Sequence, residues 1–74
     1  MTAGLLISFW ETRKKDGHVE HRIVLVECGP KSSFGKWYLE AVEGRKAKYE
    51  CEIMSVVPLT VDDVRRLKKA GVGV

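Results

Sequence analysis

The dipeptide Asp16-Gly17 lies between two apolar runs, 5–10 and 22–26, and this arrangement constrains the fold more than any other feature of the chain. A type I′ turn needs a positive φ at both central residues, and Asp-Gly is one of the few dipeptides that favour it. Asp-Gly between β-prone runs therefore predicts a β-hairpin with a two-residue loop. The predicted strands of this hairpin span 5–13 and 18–28.

The charges of the hairpin favour one register of its strands. A two-residue loop places Arg13 opposite Glu20 and Glu11 opposite Arg22, so opposite charges meet twice across the strands. A register one residue over places Glu20 opposite Thr12 and loses both charge pairs. We therefore predict the first register.

Two further strands are predicted, over 36–43 and 47–57. Trp37, Leu39 and Ala41 alternate with polar residues and would give the third strand one apolar face. Four strands with short connections predict a meander, because sequential strands usually pair. The predicted fold class is therefore α+β: a four-stranded antiparallel β-meander of two hairpins, with one C-terminal α-helix packed on the sheet.

The signals for the C-terminal helix are unusually complete. Thr60 is a natural N-cap, and Asp63 stands where a capping box places an acidic residue. Leu59, just before the cap, can pack on Val64 as a hydrophobic staple. Gly71 follows the last helical turn, as a terminating glycine does. The sequence predicts a helix between these two signals.

Length and hydropathy limit the class of protein. The chain has 74 residues with 45% hydrophobic content, which predicts one small globular domain over 1–74. Its apolar runs are far shorter than the roughly 20 residues that span a bilayer, and its start shows no signal-peptide pattern. We expect a soluble cytoplasmic protein with no membrane partner.

The composition is typical of a thermophile. The chain contains no Asn and no Gln, while charged residues reach 31%. Loss of thermolabile amides with gain of charge is the expected hyperthermophile pattern, although a short chain can show it by chance. The predicted source is an archaeon or one of its viruses.

Thermophile disulfides make a Cys28–Cys51 bond permissible. In the meander, however, the third strand would separate the two cysteines by about 9–10 Å, beyond the reach of a disulfide. We predict two free, largely buried thiols.

The basic residues suggest a partner. Net charge is +3. In a meander the first and third turns share one end of the sheet, and the helix runs back about 15 Å towards that end. Three basic clusters are therefore predicted to converge and to bind nucleic acid, DNA or RNA, without sequence preference. The predicted phosphate contacts are Arg13, Lys14, Lys15, Arg45, Lys46 and Lys48, assisted by Lys68 and Lys69. The alternative is a solvated charged rim, since acidic residues are interleaved with these bases.

Two aromatic residues could add base stacking to these contacts. In the preferred registers Trp10 pairs with Ile23, and Tyr38 lies opposite the apolar face of its hairpin. Exposed aromatic rings stack on bases of single strands. The alternative is that Trp10 lies in the core under the helix and that Tyr38 is a half-buried edge residue, as large aromatics usually are.

Catalytic and metal-binding patterns are not found in the sequence. His18 and His21 are three positions apart, so on a strand they point to opposite faces and cannot easily share a metal. Cys28 and Cys51 lack the paired spacing of zinc ligands. We expect no enzyme activity, no cofactor and no metal site, and we recognise no family motif. The alternative function is a protein-interaction or assembly module that uses a sheet edge or an aromatic face, and a homodimer is one form it could take.

Overall fold

A three-stranded antiparallel sheet forms the centre of the structure, a computed structural model that describes residues 2–30 and 32–71. β1 (Gly4–Arg13) is the middle strand, and it pairs with β2 (Val19–Glu27) and with β3 (Tyr49–Leu59). The predicted four-stranded meander with one helix is wrong, because these described residues form three strands in the order β2-β1-β3 and two α-helices.

The segment predicted as the third strand is helical. α1 spans Phe34–Ala41, and its N-cap is Ser33, whose hydroxyl accepts a hydrogen bond from the Lys36 amide at 3.2 Å. A short 3₁₀ turn over Glu43–Arg45 then leads into β3. With this segment helical, β3 has no third strand to pair with and adds to the free edge of β1 instead.

The first hairpin forms as predicted, but its register differs by two residues. Glu11 lies opposite Glu20, and Phe9 lies opposite Arg22. A type I′ turn would need positive φ at Asp16, yet no described residue other than glycine has one, and only Gly17 in this turn does, at 72°. The loop is longer as a result: the Arg13 amide donates to the His18 carbonyl at 2.8 Å, and the Gly17 amide donates to the Arg13 carbonyl at 2.7 Å.

One face of the sheet carries the core. Ile7 is fully buried and Phe9 is 4% exposed, and Val26 of β2 packs beside them. α1 covers this face, with the Trp37 ring against the Phe9 ring in an edge-on contact at 5.4 Å between centroids. Alternation along β1 therefore directs its odd-numbered residues into the core.

The second helix, α2 (Val61–Lys69), confirms the predicted start and stop signals. Thr60 and Asp63 form both bonds of the capping box, and Gly71 has a φ of 78°. Leu59 and Val64 are both buried. Within the described residues, neither helix is long and apolar enough to cross a membrane.

The opposite face of the sheet is largely open. α2 reaches it only at the Gly4 end, where a β-carbon on Gly4 would stand 2.7 Å from the Val64 side chain. Further along this face Trp10, Ile23 and Val57 are 40%, 47% and 45% exposed. The described part of the chain therefore leaves an apolar surface, which we call the open face, defined by Leu6, Trp10, Ile23, Leu25 and Val57.

Both cysteines are free, which confirms that part of the prediction. β1, rather than a third strand, separates them, because Cys51 pairs with Glu11 while Cys28 follows the far end of β2. Cys28 is exposed, so the prediction that both thiols are largely buried is wrong for it. Burial, together with the Glu11 carboxylate and partly offset by Arg45, raises the pKa of the half-buried Cys51 thiol.

Candidate nucleic-acid interface

Three lysines meet where β1 ends and β3 begins. Because β3 pairs directly with β1, the Lys14 amide donates to the Lys48 carbonyl at 2.9 Å. Lys14, Lys15 and Lys48 form what we call the lysine cluster. Together with Arg13, Ala47 and Tyr49, these lysines line a cavity of about 470 Å³.

Ion pairing distinguishes the lysine cluster from the cations beside it. Among the described residues, no carboxylate lies within ion-pairing distance of Lys14, Lys15 or Lys48. The adjoining cations differ, since Arg13 is 3.3 Å from Asp16 and Lys46 is 3.3 Å from Glu43. Lys14, Lys15 and Lys48 are therefore the unpaired cations at this end of the described sheet.

Arg45 lies nearby in the fold but is engaged with the protein itself. Its guanidinium donates to both oxygens of Glu11, at 2.8 and 3.4 Å, and lies over the Tyr49 ring at 4.1 Å from the centroid. Arg22 approaches the same carboxylate at 3.4 Å. Since Glu11 is only 4% exposed, these contacts compensate a buried charge. The guanidinium of Arg45 is therefore engaged inside the protein and does not add to the charge of the lysine cluster.

The basic end of α2 does not join the lysine cluster. Lys68 pairs with Glu27 at 3.2 Å, and Glu27 lies opposite Gly4, at the end of the sheet farthest from the first turn. Lys69 follows on the same short helix. Two of the three basic clusters therefore meet, those around Lys14 and Lys48. The third does not join them, because α2 packs across the Gly4 end of the sheet and does not run along its length.

Trp10 lies on the open face beside the lysine cluster. It shares a cavity of about 380 Å³ with Lys14 and Lys46, so Lys14 lines this cavity as well as the larger one. The alternative of a Trp10 in the core is wrong, since its side chain is 40% exposed. Two acids, Glu50 and Glu52, line the same cavity and reduce its positive potential.

His21 holds the ring of Trp10 from one side. The two rings are 4.9 Å apart between centroids at 53°, and Ser8 is hydrogen-bonded to the imidazole at 2.7 Å. The sequence analysis missed His21 because the register shift of two residues replaces Ile23 by His21 opposite Trp10. Tyr49 was also missed, although it directly follows Lys48 and begins β3.

Tyr38 is not brought to this surface. It lies on α1, which covers the core face, and its ring contacts Phe34 at 6.0 Å between centroids. Trp10 faces the other side of the sheet. The two predicted stacking residues are therefore separated by the sheet, because the segment around Tyr38 is a helix and not a strand.

No metal centre accompanies this surface. Over residues 2–30 and 32–71, no group of three or more His, Cys, Asp or Glu side chains is arranged to hold a metal ion. The chemistry available to the surface is that of ammonium groups and one exposed indole on a strand.

No family model, curated protein or solved structure matches the chain.

Proposed function

We propose that the protein binds nucleic acid without sequence preference, through phosphate contacts made by the lysine cluster. The observation that supports this proposal is the meeting of Lys14, Lys15 and Lys48 around one cavity with no carboxylate paired to them within the described residues. Ammonium groups that neutralise phosphates release counterions, and this gives affinity that does not depend on base sequence.

The neighbouring cations have secondary roles in this proposal. Arg13 and Lys46 are bound to exposed acids, and such surface pairs contribute little, so either can exchange its carboxylate for a phosphate. Arg45 supports the site by fixing the turn before β3 against Glu11. Lys68 and Lys69 lie at the other end of the sheet and are left out of the interface.

The test is a salt-dependent binding titration of a triple variant. Replacing Lys14, Lys15 and Lys48 with Ala should weaken binding to labelled DNA or RNA and lower the slope of log K against log salt by about 2–3, since each lost phosphate contact removes about 0.7–0.9. Fluorescence anisotropy between about 50 and 200 mM salt measures both quantities.

The matched control removes the same charge elsewhere. Arg65, Arg66 and Lys69 are exposed on α2, away from the lysine cluster, and their replacement with Ala should leave the slope nearly unchanged. An equal loss in both triple variants would mean that net charge alone drives binding. Absence of binding by the natural chain would reject the proposal.

Self-association is the second candidate function, and the open face favours it. Trp10, Ile23 and Val57 expose apolar area that a second copy of the chain could cover. His21 and Glu52 lie level with Trp10, on opposite edge strands. If two copies met open face to open face about a two-fold axis parallel to β1, His21 of each copy would face Glu52 of the other. Such a dimer would persist at high salt in sedimentation, whereas polynucleotide binding would weaken.

Two broader properties accompany the proposal. We infer a cytoplasmic location, since polynucleotides are available as partners there. We also infer a thermophilic source, because the chain lacks Asn and Gln and carries linked ion pairs in which Arg22 contacts both Glu11 and Glu20.

A further inference from the structure

We infer that the polynucleotide bound by this surface is single-stranded, with a base stacked on Trp10 and the backbone on the lysine cluster; the inference rests on the proposed function. A base is available for stacking on a side chain only when it is not already paired and stacked inside a duplex. The question is therefore whether Trp10 is exposed, fixed and adjacent to the unpaired lysines.

Exposure and position satisfy this requirement. Trp10 is 40% exposed, whereas the second tryptophan, Trp37, packs against the core ring of Phe9. Lys14 lines both the cavity that contains Trp10 and the cavity of the lysine cluster. A backbone that contacts Lys14 can therefore present a neighbouring base to the indole without leaving the surface.

The indole is also held in place before any ligand binds. His21 packs on it at 4.9 Å between centroids, and the hydrogen bond between Ser8 and His21, at 2.7 Å, fixes that imidazole. All three residues lie on the paired strands β1 and β2, so the ring is supported by strands and not by a loop. An ordered ring loses less conformational entropy on stacking.

The acids beside Trp10 limit the affinity and provide a second readout. Glu52 pairs with Trp10 across β1 and β3 and lines the same cavity, where its negative charge repels phosphate. Glu52→Gln should therefore tighten binding of both strand types modestly. It should not change the preference between them, because it alters charge and leaves the stacking surface intact.

The experiment compares single-stranded oligonucleotides of about 15 nucleotides, oligo-dT and oligo-rU, with a duplex of similar length at one salt concentration. Trp10→Ala should raise the Kd for both single strands about 5- to 150-fold and leave the Kd for the duplex nearly unchanged. Trp10→Phe, which keeps a smaller ring, should retain most of the affinity. A difference between oligo-dT and oligo-rU would assign the strand as DNA or RNA.

Controls separate stacking from folding and from charge. Leu39→Ala removes another exposed apolar side chain, on α1, and should leave both affinities unchanged. In Trp37→Phe, which leaves Trp10 as the one indole, binding of a single strand should quench the fluorescence. Circular dichroism establishes that each variant is folded.

The outcomes distinguish this inference from the proposed function. If the lysine variants weaken binding but Trp10→Ala does not, or if it weakens single strands and duplex equally, the single-strand inference is overturned and the proposed function stands. If the natural chain binds no polynucleotide, both fail. If Trp10→Ala instead converts a dimer to a monomer, Trp10 is an assembly contact and the inference is overturned.

Discussion

Glu11 is the buried charged side chain of the described structure, and two guanidinium groups surround it. Arg45 meets both of its oxygens, and Arg22 adds a third contact at 3.4 Å. A buried carboxylate is tolerated only when it is paired and hydrogen-bonded, so these contacts hold the 3₁₀ turn and β2 to β1. The 3₁₀ turn leads to Lys48, so these contacts help to position that member of the lysine cluster.

Replacing Glu11 with Gln tests this role. The change removes the charge but keeps the shape, so we expect the free energy of unfolding to fall by about 1.5–3 kcal/mol, the range for hydrogen bonds to charged groups. Urea denaturation measures it. Glu20→Gln is the matched control, because the Glu20–Arg22 pair is exposed and should contribute about 0–1 kcal/mol. Equal losses in the two variants would contradict the role of Glu11.

The same residues show why the register could not be predicted from charge. The sequence analysis placed Glu11 directly opposite Arg22, and the pair does form, but Glu11 lies opposite Glu20 and Arg22 reaches it diagonally. A long arginine side chain spans two positions along a strand, so registers two residues apart satisfy the same charges. The backbone conformation of the turn, in which Gly17 has a positive φ, decides between the two registers. That conformation cannot be determined from the residue types of the turn.

α1 is the element that the sequence analysis assigned incorrectly. Its apolar residues alternate at Trp37, Leu39 and Ala41, but Phe34, Trp37 and Ala41 also follow a helical spacing. In a segment this short, periodicity fits both structures. Leu39 decides between the two readings, because it is 65% exposed on the helix, whereas a strand would have buried it. The Ser33 cap was the signal that could have indicated the helix.

α2 depends on a close approach to β1 at Gly4. A β-carbon there would stand 2.7 Å from the Val64 Cγ2 atom and 3.1 Å from the Val26 carbonyl oxygen. We expect Gly4→Ala to lower the free energy of unfolding by about 1–3 kcal/mol, the usual cost of overpacking, because a branched valine beside backbone cannot yield easily. Thermal and urea unfolding measure the loss.

A double variant checks the cause of this effect. Gly4→Ala combined with Val64→Ala should lose less stability than the two single changes added together, since the second change makes room for the first. Gly29→Ala is the control, because among the described residues no atom beyond its chain neighbours lies within 4 Å of the position its β-carbon would take. Additive losses in the double variant would mean that α2 does not press on Gly4.

The strand order of the whole molecule follows from these element-level facts. With the segment 34–41 helical, β3 pairs with β1 along its length, and this pairing brings Lys48 to Lys14. The sequence analysis predicted that two of the basic segments meet, but from a meander that does not form. The hairpin and α2 could be predicted because local signals specify them, whereas strand order depends on contacts far apart in sequence.

The thermophile inference makes a prediction about the whole molecule. Arg22 links Glu11 and Glu20, and His18 extends the network from Glu20 at 3.2 Å. The desolvation penalty of ion pairs falls as temperature rises, so such networks stabilise the fold more at high temperature.

We expect the chain to melt above about 45–65 °C, the range of mesophile domains. Calorimetry at low salt and at about 1 M salt, where screening is strong, should show a lower Tm at the higher salt. Arg22→Met should lower Tm more than Arg65→Met, because in the described part of the chain the ion pair of Arg65 is a single exposed one, at 4.0 Å to Asp62. Melting within the mesophile range would mean that the absence of Asn and Gln reflects chance in a short chain.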